Sequence, residues 1–183
     1  MKNKLLTTQN LILCGIFTAL IAVGAFIRIP VPFVPFTLQV LFTTLAGLLL
    51  GPELGAVSAL LYMLLGLAGL PIFTQGGGLG YLLQPTFGYI IGFCVGTFIT
   101  GKLAYSEKLS VKRLMFANLA GLLVVYVFGM VYLYGVSNLI LGNEVGVWYV
   151  FLYGFLLCLP GDIVLCFLAA ILGKRLIPIL KRR

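Results

Sequence analysis

The run LPGD at 159–162 places a carboxylate, Asp162, at the head of an apolar stretch that continues to Lys174. Twelve helical residues span about 18 Å. In a hydrocarbon core of about 30 Å, that leaves the acid well below the membrane surface. An acid at such depth is a functional residue by default. Asp162 also follows Pro160 and Gly161, where a carboxylate can cap a helix N-terminus. Both roles stay open, and they are compatible. The other polar side chains breaking the apolar sequence are amides, hydroxyls and phenols: Thr37, Gln39, Gln75, Tyr81, Gln84, Thr86 and Tyr89. Histidine is absent. No serine or cysteine is paired with a base, and no G-x-x-x-x-G-K-[ST] loop is present to hold a nucleotide. These residues suit recognition rather than catalysis, since small-molecule pockets are mostly apolar with a few placed polar groups. No enzyme activity, cofactor or metal is expected.

The elements that carry these residues are membrane helices. The chain is 62% hydrophobic and 9% charged, whereas soluble domains are about half apolar and a quarter charged. One integral-membrane domain over residues 1–183 is expected, all-α, with six transmembrane helices near 8–27, 37–51, 54–70, 83–103, 112–135 and 160–178. The second and third are short and joined by GPELG at 51–55. The apolar segment 144–158 would make the last helix too long. It is read, over 146–158, as a partial or interfacial helix that turns into the last span at Pro160-Gly161. The N-terminus, with Lys2 and Lys4 before apolar 11–27, resembles a signal peptide, but a first membrane helix suits the rest of the chain better. Cys14, Cys94, Cys158 and Cys166 lie in apolar runs and read as small buried hydrophobes.

Charge sets the expected orientation. With both termini cytoplasmic, eleven of the twelve Lys and Arg residues fall inside and only Arg28 falls outside. That is a strong positive-inside bias, and it assigns the net charge of +8 to cytoplasm and anionic lipid rather than to nucleic acid. Loops 28–36, 71–82 and 136–147 are then external.

Two of these loops are unusual. GLPIFTQGGGLGYLLQPTFGYIIGF at 69–93 is rich in glycine within apolar surroundings. Irregular backbone at membrane depth is tolerated where protein buries it or where it lines a cavity. Residues 71–82 therefore read as a lid or wall of an external pocket, or else as a flexible hairpin. In IRIPVPFVPFTLQ at 27–39, prolines 30, 32 and 35 enforce an extended path and deliver Thr37 and Gln39 to the outer end of the second span. A stiff connector is the other reading. Small residues recur at helical spacing as Gly15, Ala19 and Ala22 on the first span and Gly88, Gly92 and Gly96 on the fourth. Such stripes permit close packing in lipid. Internal packing suits the fourth, and the first is open to a separate membrane partner.

Three motifs occur in order: I-P-x-P-x-V-P-x-T-x-Q, then G-G-G-x-G…P-T-x-G-Y-x-x-G-F, then P-G-D ahead of FLAAILGKRL. Together they resemble the BioY family, the biotin-binding S components of energy-coupling-factor (ECF) vitamin transporters. The likeness runs from about residue 8 to 177 and is weakest over 104–150. It implies a six-helix fold in the cytoplasmic membrane and biotin capture from outside, with external loops that re-enter or cap the site. It also implies partners: a transmembrane coupling protein with two cytoplasmic ATPases, docked on the small residues of the first helix, Gly15, Ala19 and Ala22. The implied ligand set is Asp162, Gln39, Thr37, Gly76, Gly77, Gly78, Gly80, Tyr81, Gln84, Thr86 and Tyr89. The sequence departs from the family at two cationic positions, which here are Leu165 and Ile90. Arg28 or the amides of Gly76–Gly80 are the substitutes for pairing the ligand carboxylate, and a biotin relative of different charge is the alternative ligand. Tyr89 or water is the expected partner of Asp162. A stand-alone secondary transporter remains the rival class, although neither an inverted repeat nor a second intramembrane charge supports it.

Overall fold

The computed structural model describes residues 7–29, 34–105 and 109–181. Pro30, Pro32, Lys2, Lys4, Lys108, Arg182 and Arg183 lie outside these residues. Helix α1 (Thr8–Phe26) starts at Thr7, whose hydroxyl accepts from the Asn10 amide at 3.3 Å. A short antiparallel pair follows, β1 (Arg28–Ile29) with β2 (Phe36–Thr37), in which Arg28 faces Thr37. Helices α2 (Gln39–Leu50) and α3 (Pro52–Leu67) form a hairpin. Its turn is Gly51, at φ +85°, a value that favours glycine. Pro52 then takes the first position of α3, where an N–H is not needed. A tight 3-10 turn, Leu79–Leu83, leads into α4 (Phe87–Ala104), and α5 (Val111–Gly135) loosens into a π-helical turn at Val136–Ile140.

The partial helix expected over 146–158 is α6 (Val147–Phe151) followed by a π-helical turn, Leu152–Leu156. It joins α7 (Leu159–Lys181) through Leu157 and Cys158, so the break expected at Pro160-Gly161 is absent and helical geometry runs on from Val147 to Leu180. The reason is that Pro160 sits within the first turn of α7, where a missing N–H is tolerated. Among the described residues, four helical runs are long and apolar enough to cross a membrane: Thr8–Phe26, Phe87–Ala104, Val111–Ile140 and Val147–Leu180. With 12 and 16 residues, α2 and α3 are about 18 and 24 Å long, shorter than the hydrocarbon core.

Packing centres on α2, which touches α1, α3, α4 and α7. The most extensive helix contact is α4 on α5, and it uses the glycine stripe of α4. A Cβ on Gly92 would sit 2.8 Å from Val125 Cα, and one on Gly96 would sit 2.7 Å from the Gly121 carbonyl oxygen. Helix α1 packs its Cys14, Phe17, Thr18 and Ile21 side inward against α2 and α3. Gly15 and Ala19 are exposed, while Ala22 is half-buried against the core. Cys14, Cys158 and Cys166 are buried, Cys94 is half-buried, and all four are free thiols.

The backbone contact at Gly92 leaves no flexible atom to yield. Overpacking of this kind costs about 1–3 kcal/mol, so Gly92→Leu should lower the melting temperature in detergent by several degrees. Gly15→Leu, whose Cβ meets nothing within 4 Å, should leave it nearly unchanged. Equal losses would show that the α4–α5 contact is not the tight one.

Candidate functional site

One cavity collects most of the polar residues singled out from sequence. It lies among β2, α2, α3, α4, α5 and the start of α7, under the loop that precedes α4. Thr37, Gln39, Thr74, Tyr81, Thr86, Tyr89, Tyr126 and Asp162 line it with Tyr62 and Cys158, and Val40, Ile90, Phe93, Leu122 and Val125 supply apolar wall. Among the described residues it is lined by one carboxylate and by no Lys or Arg.

The P-G-D turn positions the carboxylate. Pro160 sits in the first turn of α7, where its missing N–H is harmless. Gly161 leaves room for the Phe36 ring, which would lie 2.5 Å from a Cβ there. Asp162 is the fourth residue of the helix, and its amide already donates to Cys158 O at 3.0 Å. It is therefore past the cap position, and its side chain turns to the cavity. It is 5% exposed. Its Oδ2 accepts from the Tyr126 hydroxyl at 2.5 Å. This corrects the expected partner, because the Tyr89 hydroxyl donates to the Gly154 carbonyl at 2.8 Å instead. A carboxylate offers about four acceptor positions, so Asp162 can accept further donors from a ligand.

Two other polar groups complete the lining. The Gln39 amide donates to the Tyr62 hydroxyl at 3.0 Å, and that hydroxyl donates to Ile72 O at 3.1 Å. The Thr37 hydroxyl sits 3.2 Å from Gln39 Oε1, which fixes the amide's orientation. On the loop side, Thr74 and Tyr81 share a hydrogen bond of 2.9 Å, and Thr86 lies 3.5 Å from the Tyr81 hydroxyl.

The loop is folded down rather than free. Phe73 pairs through its backbone with Gly76 and buries its ring over Gly66, 5.3 Å from the Tyr62 ring and 4.5 Å from the Tyr81 ring. Gly78 donates to Gly66 O at 2.7 Å. Gly76 and Gly78 have φ of +114° and +92°. At Gly77 a Cβ would overlap the Leu70 carbonyl. Gly76, Gly77 and Gly78 therefore shape the loop, and neither they nor Gly80 line the cavity. Its contribution to the lining is Thr74 and Tyr81. Gln84 and Gln75 face a separate outer groove with Asn143 and Glu144. Arg28 is exposed and donates to the Thr74 carbonyl, outside the lining. Of the two departures, Ile90 lines the cavity wall, and Leu165 is buried in the same core cluster but is not part of the lining. Sequence reasoning missed Tyr62, Thr74, Tyr126 and Cys158. Nothing local marks Tyr126, since its role comes from facing a residue 36 positions away.

Similarity to known proteins identifies the family. The family model described as the BioY family matches residues 1–182. The chain belongs to the BioY family. A probable biotin transporter BioY of Lysinibacillus sphaericus is 45% identical over 171 residues, covering 93% of this chain and 87% of that protein. Another, of Pyrococcus horikoshii, is 41% identical and covers 90% of this chain and 93% of that protein. Among solved structures, the S-component for biotin from an ECF-type ABC transporter superposes with a TM-score of 0.82 at 29% identity, over 96% of this chain and 94% of that one. The cavity is thus set in a BioY fold.

The two tyrosines beside Asp162 should differ in weight. A hydrogen bond to a charged group contributes about 1.5–3 kcal/mol, against about 0.5–1.5 for a neutral pair. Tyr126→Phe should therefore lower thermal stability in detergent more than Tyr89→Phe does. The assignment fails if Tyr89→Phe is the more damaging change.

Proposed function

We propose that this chain captures biotin at the external side of the cell membrane and serves its uptake as the substrate-specific subunit of an ECF transporter. The observation that carries the reading is Asp162, a buried carboxylate facing an otherwise neutral cavity beside Tyr126. The ureido ring of biotin presents two N–H donors, which a carboxylate with spare acceptor positions matches. Gln39 and Thr37 add further hydrogen bonds, with Tyr81, Thr86 and Tyr89 around the ligand. Gly76, Gly77, Gly78 and Gly80 hold the covering loop, and Gln84 lies at its base. The BioY relatives named as biotin transporters and the biotin S-component structure support this reading.

The ligand carboxylate is assigned to Arg28. Arg28 is the cross-strand partner of Thr37 and donates to Thr74 O, and both threonines line the cavity. Directly opposed residues in an antiparallel pair project to one side. That supports a guanidinium at the rim, whose five N–H donors exceed the one hydrogen bond it makes among the described residues.

The whole chain is a single multi-pass domain of six spans, counting the short α2 and α3, with both termini cytoplasmic. The bias of Lys and Arg supports that orientation. No step here is catalytic. Energy enters from a transmembrane coupling protein with two ATPases, because the sequence has no nucleotide loop. The exposed Gly15 and Ala19 face of α1, with Ala22 beside it, is the docking stripe. Helix α1 contributes nothing to the cavity lining, so the two surfaces are separable.

Direct binding of labelled biotin to the purified chain tests the ligand assignment. Asp162→Asn should weaken it by roughly 10–150-fold, the equivalent of one charge-assisted hydrogen bond. Unchanged affinity would remove Asp162 from the site.

A separate experiment tests the docking face. Ala19→Trp should reduce biotin uptake in cells and copurification with the coupling protein, while the isolated chain still binds biotin. Full uptake in that variant would move the interface elsewhere.

A further inference from the structure

A second, smaller cavity lies one turn further along α2 and α4. Val40, Leu122 and Val125 line both cavities and form the partition between them. The lower one is about 10 Å³, on the order of the space that the centre of one water needs. Its remaining walls are polar and small: Thr43 and Thr44 from α2, Thr97 and Thr100 from α4, and the backbones of Gly96 and Gly121. These four threonines are 3%, 5%, 2% and 1% exposed.

Thr97 is the odd member. Hydroxyls in apolar helices usually donate to the carbonyl one turn back. Thr18, Thr43, Thr44 and Ser58 all do so here. Thr100 donates instead to Ala117 O on α5, at 3.3 Å. The Thr97 hydroxyl is fully enclosed and has no partner among the described residues. A buried hydroxyl without a partner is costly, and native interiors rarely leave one.

The neighbours complement it. Thr43, Thr44 and Thr100 already donate their hydrogens, yet each oxygen keeps lone pairs. The cavity therefore presents one free donor and three acceptors. That set matches one water, which accepts from Thr97 and donates to two of the others. A metal cation is disfavoured, because hard cations take six or more oxygens, commonly with carboxylates, and no carboxylate among the described residues lines this space.

We propose that this cavity binds a single ordered water, which hydrogen-bonds α2 to α4 beneath the floor of the larger cavity. The site holds its water whether or not a ligand sits above it.

The test turns on the sign of one substitution, made without added ligand. Thr97→Val keeps the side-chain shape and deletes the hydroxyl. Loss of a satisfied, water-bound hydroxyl lowers the melting temperature in detergent by about 2–4 °C, and Thr97→Ser restores most of it. Deletion of an unsatisfied hydroxyl leaves the melting temperature unchanged or raises it, and that result overturns the proposal. A crystal structure of the unmodified chain that orders its buried waters gives an independent answer. Water density within hydrogen-bonding distance of Thr97 Oγ1 supports the site, and an empty cavity there rejects it.

Discussion

A carboxylate enclosed by an apolar helix bundle must be met by donors, because lipid and hydrocarbon side chains offer none. Asp162 meets this constraint with Tyr126, and the cavity end of the bundle is arranged around that contact. Helix α7 must begin at the right height to present the fourth residue to the cavity. Pro160 and the small Gly161, which admits Phe36, let it do so. Helix α5 must lie close enough for its tyrosine to reach across. The same enclosure that makes an unpaired Asp162 costly leaves it strong hydrogen-bonding capacity toward a ligand.

Close helix approach follows from the membrane setting. Apolar side chains gain little by leaving lipid, so helices associate through contact and hydrogen bonding. The glycines of α4 bring α5 to backbone contact. That leaves the opposed Tyr89, Phe93, Leu122, Val125 and Tyr126 side chains to shape a cavity rather than fill an interface. Helix α1 is held mainly on its inner side, where Thr18 shares its hydroxyl with Cys14 O and Ser58 O. Its exposed small-residue side stays clear of the cavity. The cavity and the exposed small-residue side of α1 therefore lie on different helices.

The covering loop shows how glycine can serve architecture rather than contact. Its glycines permit turns at positive φ and the close approach of Gly77 to the Leu70 carbonyl. The result buries Phe73 against Tyr62 and Tyr81, and that cluster of edge-on and tilted rings holds Thr74 and Tyr81 over the cavity. A run of small residues near a site is thus weak evidence that their own backbone touches a ligand.

Composition, apolar run length and the placement of Pro and Gly determined the helical membrane class and the short α2–α3 hairpin at Gly51, but not the last run, which extends back to Val147 past the expected break at Pro160. These follow from local rules: hydropathy over a span, proline at helix starts, and glycine at turns. An intramembrane acid was equally legible, since Asp162 stands out against its apolar neighbours. Its partner was not, because Tyr89 and Tyr126 look alike in sequence, and which hydroxyl reaches the carboxylate depends on the rotation of α4 and α5 about their axes. Burial of Gly92 and exposure of Gly15 were likewise decided by tertiary packing, since the same small-residue spacing serves both. Local sequence carries the period of a helix and the chemistry of each side chain. Only the assembled bundle decides which faces meet, because that depends on contacts summed over distant segments.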